Sequence, residues 1–124
     1  FLRHGFEVVD KAAPGFELLV KRFTASALRP RFKGGWEERL CRYAAGLTII
    51  RADQCPYTVE NIGEILETAE KTYGIKPTVI ELKSCKEAQN SPSPFGAFCI
   101  IYQGKVIAEH PISNKRFMDI MDLQ

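Results

Sequence analysis

The residues in this sequence best suited to chemistry are Cys55-Pro56-Tyr57-Thr58. An apolar run, Leu47-Thr48-Ile49-Ile50, precedes them and a long helical pattern follows, so Cys55 stands between a buried strand and the first turn of a helix. Unpaired backbone N–H groups and the positive end of the helix dipole stabilise a thiolate at such a position. Pro56 suits the first turn because its missing N–H would have been unpaired anyway. Thr58 can donate its hydroxyl to the sulfur. A thiolate held this way attacks a disulfide or an electrophile, or binds a soft metal. A cysteine near a helix start also commonly serves as a small hydrophobe, and both readings stand.

The other thiols are weaker candidates. Cys99 falls inside the apolar strand Ala97 to Tyr102 and is expected in the core. Cys85 precedes a short helix and is expected to be exposed, a distant resolving thiol at most. Cys41 lies on the edge of an amphipathic helix, where a structural role is expected. His110 stands beside Pro111 at a strand end with no Cys-x-x-Cys or His-x-x-x-His spacing, so no metal site is expected.

The elements that must position Cys55 can be read from periodicity and punctuation. Phe6 to Asp10 and Phe16 to Phe23 form a β-hairpin about Pro14-Gly15. A two-stranded hairpin is marginal alone in water, so this one is expected to complete a larger sheet or meet another subunit. Thr24 to Gly35, with Pro30, Gly34 and Gly35, reads as a linker, and its basic residues as solvated. Trp36 to Ala45 is helical, closed by Gly46. After the strand 47–50, a helix over 56–73 places Val59, Ile62, Ile65, Leu66, Ala69 and Tyr73 on one face and ends at Gly74. Thr78 to Leu82 is the next strand, so strand, helix and strand make a right-handed βαβ unit. Ser84 caps a short helix to Gln89, and Asn90 to Pro94 breaks it. Ala97 to Tyr102 and Lys105 to Glu109 flank Gln103-Gly104, a tight hairpin. Ser113 or Asn114 caps a last helix carrying Phe117, Ile120 and Met121.

The bulk composition excludes several classes. The 124 residues are 45% hydrophobic and 26% charged with a formal net charge of +2, which describes one ordinary soluble domain with an appendage. Basic residues are scattered, so no nucleic-acid partner is expected. No apolar run approaches the roughly 20 residues of a membrane span. The chain opens without Met and without an export signal, so the expectation is a fragment or processed product with reduced thiols in the cytoplasm.

The order β-α-β-(α)-β-β-α from Leu47 onward resembles the thioredoxin arrangement, and Cys55-Pro56-Tyr57-Thr58 resembles the Cys-Pro-Tyr-Cys turn of glutaredoxins with Thr58 in place of the resolving cysteine. The resemblance implies an α/β, thioredoxin-like domain over 47–124. It also implies a cis-proline facing the active cysteine, for which Pro94, or second to it Pro92, has the right place. It further implies thiol–disulfide chemistry with Cys55 as nucleophile and Thr58 as its hydrogen-bond partner.

A second resemblance covers the whole chain. His4-Gly5-Phe6-Glu7-Val8-Val9-Asp10 and Phe16 to Phe23 are similar to the closing hairpin of a GNAT-type acetyltransferase. Asp53-Gln54-Cys55-Pro56-Tyr57 and Glu87 to Gly96 are similar to acetyltransferases that carry a C-terminal YoaP-like domain. This implies residues 1–23 as the end of an acetyltransferase domain, 24–46 as linker and helix, and 47–124 as a YoaP-like accessory domain. The glycine-rich loop that cradles acetyl-CoA in that family would lie upstream of Phe1, in the same polypeptide. Many members place a tyrosine, as general acid, at the position of Phe1, which has no proton to donate. Three functions follow as expectations. The first is an acyltransferase whose accessory domain recognises substrate or partner through Cys55, with Pro56, Tyr57, Pro94 and Phe95 as further contacts. The second is a monothiol redox enzyme, and the third a binding module without chemistry. Oligomerisation is compatible with all three.

Overall fold

The computed structural model describes residues 1–54 and 56–124, which fall into two units, Phe1–Gly34 and Gly35–Gln124. In the first unit, β1 (Glu7–Ala12) and β2 (Phe16–Val20) pair antiparallel, with a bulge between Val8 and Asp10. The second strand stops at Val20, three residues short of the apolar pattern. Beyond it Arg22 turns back, its Nε donating to Glu7 Oε1 at 2.8 Å. Asp10 Oδ2 accepts the Phe32 N–H at 2.8 Å, so the segment after β2 is fastened to the hairpin by a backbone contact.

The second unit opens with α1 (Trp36–Leu40), which tightens into a 3-10 turn over Cys41–Tyr43, so the regular helix is shorter than its periodicity predicts. Gly46, at φ 74°, then turns the chain into β3 (Leu47–Ala52). This strand runs two residues past its apolar run because pairing sets its end: Ala52 lies opposite Leu82 and donates to the Ala97 carbonyl at 2.8 Å. Helix α2 (Pro56–Tyr73), strand β4 (Thr78–Leu82), helix α3 (Cys85–Gln89), strands β5 (Phe98–Tyr102) and β6 (Lys105–Ala108) and helix α4 (Asn114–Met121) follow. Their bounds fall within a residue or two of the sequence reading, because each is marked by a cap, a glycine or a hairpin turn. Gln103 and Gly104 both take positive φ, 48° and 78°, the requirement of a type I′ turn.

The sheet is mixed, in the order β4-β3-β5-β6, with β4 parallel to β3 and β5 antiparallel to both β3 and β6. Both faces of its centre are covered. Leu47, Ile49, Phe98 and Ile100 pack under Ile62, Ile65 and Ala69 of α2 and Phe117 and Met121 of α4. Ile50, Cys99 and Ile101 face the other way, against Leu40 and Tyr43. Burial on both sides explains why β3 and β5 read as continuous apolar runs instead of alternating. The α2–α4 layer is pinned by a polar contact as well: Tyr73 Oη donates to Asp122 Oδ1 at 2.7 Å, and its ring meets Phe117 edge-on at 6.2 Å.

Candidate functional site

The parallel pair β3–β4 ends in one place, and the loops that follow both strands gather there. The crevice beyond the carboxyl ends of parallel strands is where α/β sheets hold ligands. A cleft of about 540 Å³ opens at this end, lined by Asp53, Gln54, Glu81, Lys83, Ser84 and Cys85 among others. That volume lies within the range of small-molecule pockets. Its rim is built by a capped helix start. Ser84 Oγ accepts the Glu87 N–H at 3.2 Å, and Glu87 Oε2 accepts the Lys83 N–H, so α3 begins at a fixed angle.

Cys55 lies outside the described residues. The neighbours that follow it are described: Pro56 opens α2 and is exposed, Tyr57 is 75% exposed, and Thr58 is buried at 8%. Before it, Arg51 is an unexpected feature. Its Nη1 is buried with no hydrogen-bond partner among the described residues, and Asp53 Oδ1 stands 3.9 Å away. The only sequence signal for it was a charge at the end of an apolar strand.

The segment Ser91 to Gly96 reaches the same end of the sheet through the Ala52–Ala97 hydrogen bond. It is a tightly built loop. Ser91 and Ser93 are buried, and their hydroxyls accept from the Ser93 and Phe95 N–H groups. Arg39 Nε donates to the Ser91 carbonyl at 3.1 Å. Gly96 has φ 77°, and a Cβ there would come within 3.3 Å of the Ala88 carbonyl oxygen, so glycine is required twice over. Pro94 is half-buried and Phe95 is 43% exposed. Neither lines the cleft below α3.

The cis-proline expected here is absent. Among the described residues the cis bond is Ala13–Pro14, and Pro92 and Pro94 follow trans bonds. The reason is the turn itself: Gly96 N–H donates to the Ser93 carbonyl at 3.1 Å, putting Pro94 at the second position of a β-turn, where a trans proline supplies the needed φ.

Cys99 and Cys85 lie as expected, whereas Cys41, expected in a structural role on a helix edge, is exposed on the 3-10 turn that follows α1. Cys99 is fully buried, and burial pushes its thiol up to about 12, with Glu109 adding to the effect. Cys85 and Cys41 are exposed. Among the described residues no three histidine, cysteine or carboxylate side chains gather as a metal site, and no helix is long and apolar enough to cross a membrane.

With this geometry in view, the comparisons with known proteins fall on the second unit first. Residues 78–118 match the YoaP-like family. Across 123 residues, 98% of the chain, it is 31% identical to a Bacillus subtilis (strain 168) protein named "Uncharacterized N-acetyltransferase YoaP". These findings support a YoaP-like domain. The alignment covers 48% of that relative, so the chain spans about half the length of the curated protein it matches. No solved structure matches the chain. The YoaP-like segment takes in β4, α3, the Ser91–Gly96 loop, the β5–β6 hairpin and most of α4. It therefore contains the capped rim of the cleft, while Cys55 to Thr58 lie outside it.

Proposed function

We propose that the chain is part of an N-acetyltransferase. In this reading the unit 35–124 is a thioredoxin-like accessory domain that recognises the acceptor or a partner, and transfer from acetyl-CoA belongs to a domain upstream in the same polypeptide. The observation that carries it is the reach of the similarity: 98% of the chain maps onto about half of a protein named an N-acetyltransferase. The sheet order β4-β3-β5-β6, with β5 antiparallel to β3, supports the thioredoxin-like part. The open-edged pair β1–β2 supports residues 1–23 as the end of a larger sheet.

Acetyl-CoA is the donor this reading implies, and the described residues do not fit its pyrophosphate. That group needs a glycine-rich strand-to-helix loop presenting backbone N–H groups. The described segments before α3 and α4 are led by Ser84 and Ser113, and Gly34-Gly35 precedes a helix of five residues with no strand before it. Donor binding is accordingly assigned upstream. Acetyl-CoA turnover by the 124-residue chain alone is expected to stay at background; turnover above background overturns the assignment.

Within the accessory domain, the exposed side chains of Pro56, Tyr57 and Phe95, with half-buried Pro94, are the acceptor or partner contacts. In the full-length polypeptide, Tyr57→Ala and Phe95→Ala are expected to raise the KM for the acceptor severalfold and leave kcat unchanged. Unchanged KM in both variants removes the recognition role.

A second reading has one specific observation behind it, the burial of a hydroxyl residue, Thr58, in the first turn of an 18-residue helix that begins next to Cys55. In this reading Cys55 is a nucleophile toward mixed disulfides and Thr58 donates to its sulfur. Site-resolved alkylation of Cys55 is expected to show a thiol titrating below the ordinary value of about 8.5, with the shift reduced in Thr58→Ala. An ordinary titration unchanged by the substitution removes this reading.

A further inference from the structure

Strand β6 is the last strand on its side of the sheet among the described residues, so one row of its backbone N–H and C=O groups has no strand opposite. Alongside it lies a groove of about 230 Å³, walled by five consecutive residues, 106–110, and across from them by Ile112, Arg116 and Ile120. Val106 packs toward one core face and Ile107 and Ala108 toward the other. A groove lined by residues of both faces runs along the strand's edge, with α4 as its far wall.

Three properties say what fits there. The volume falls below the 300–1,000 Å³ usual for a cofactor or metabolite, but suits one side chain of an extended chain. The floor beside the edge is apolar, from Ile107, Ile112 and Ile120. The charges are complementary to a carboxylate. Arg116 has no carboxylate within ion-pair distance among the described residues, and Lys105 is an exposed cation at the start of the strand. The groove's own acid, Glu109, adjoins His110, which also lines it.

We propose that the groove between β6 and α4 receives an extended peptide segment as a fifth strand, with an apolar side chain among Ile107, Ile112 and Ile120 and a carboxylate on Arg116. Strand addition of this kind draws affinity from main-chain hydrogen bonds and specificity from alternate side chains. It goes beyond the acceptor recognition proposed above, because it uses the opposite edge of the sheet from β4 and none of the residues named there.

The test uses the whole chain and a fluorescent peptide of alternating threonine and valine ending in a free carboxylate. Amide shifts from ¹⁵N spectra are expected to move at Lys105–His110 and Arg116–Ile120 and not at Asp53, Gln54 or Cys85. Arg116→Gln, a surface change, is expected to weaken binding about tenfold, the worth of one charge-assisted hydrogen bond. A C-terminally amidated peptide should lose a similar factor, and N-methylation of alternate peptide amides should abolish binding. No shifts along β6 at millimolar peptide, or equal binding by the N-methylated peptide, overturns the proposal. So does concentration-dependent dimerisation that moves the same amides without peptide, which would assign the edge to a second copy of the chain.

Discussion

Three described cysteines carry the same thiol into different surroundings, and burial decides what each can do. Cys99 sits at 0% exposure between β3 and β6, where low polarity and Glu109 hold the proton on sulfur. Maleimide labelling followed by peptide mapping is expected to mark Cys41 and Cys85 in the native protein at pH 7, and Cys99 only after unfolding. Native labelling of Cys99 at a comparable rate would refute the buried assignment. Glu109 makes a related prediction. Burial raises its carboxyl above the ordinary range, only partly offset by His110. A raised carboxyl binds its proton more tightly folded than unfolded, so stability falls as pH climbs through and above the usual glutamate range. Urea titrations from acidic to neutral pH should show that fall, and Glu109→Gln should lack it. At this scale the sequence was legible wherever type and context agreed: Cys99 in an apolar strand, Cys85 exposed at the start of a short capped helix. Arg51 was not legible, because its unpartnered Nη1 depends on where the neighbouring strands end.

At the scale of elements, short-range signals located most boundaries. Ser84 and Ser113 each accept an N–H three residues on, and both helices begin where those residues sit. Ser84→Ala should cost about 1 kcal/mol, measurable as a shift of the denaturation midpoint, with its structural effect concentrated on α3 at the rim of the cleft. A Ser84→Ala variant as stable as the parent would mean that α3 is held by its packing alone. Where tertiary contacts decide, the sequence was silent. Nothing local says that β3 continues through Ala52 or that α1 gives way at Cys41. The proline turn at Pro94 shows the same limit from another side: the resemblance implied one isomer, and a single hydrogen bond from Gly96 to Ser93 favours the other. Tyr73 ties two elements together and makes that tie sensitive to alkali. Its hydroxyl, donated to Asp122, is pushed up to about 12, first by that hydrogen bond. The folded state keeps a proton that the unfolded chain releases near pH 10, so stability is full below about 10 and lost toward 12. Tyr73→Phe should flatten that alkaline limb in a pH series of thermal melts.

At the scale of the molecule, Phe117 joins both helices of one layer to the sheet and is fully buried. Phe117→Ala should destabilise the second unit by about 3–5 kcal/mol, read from urea denaturation of the whole chain. The two units also bear on what any such melt reports. The chain passes from one to the other through Gly34 and Gly35, both at positive φ, near 68° and 69°. Cooperativity is a property of shared burial, and the buried hydrophobic residues among those described all belong to the second unit. A single transition temperature for these 124 residues would then average two unequal processes. Calorimetric and van 't Hoff enthalpies should agree for the segment from Gly35 onward and diverge for the complete chain, because residues 1–34 include no buried residue to tie them to the cooperative core.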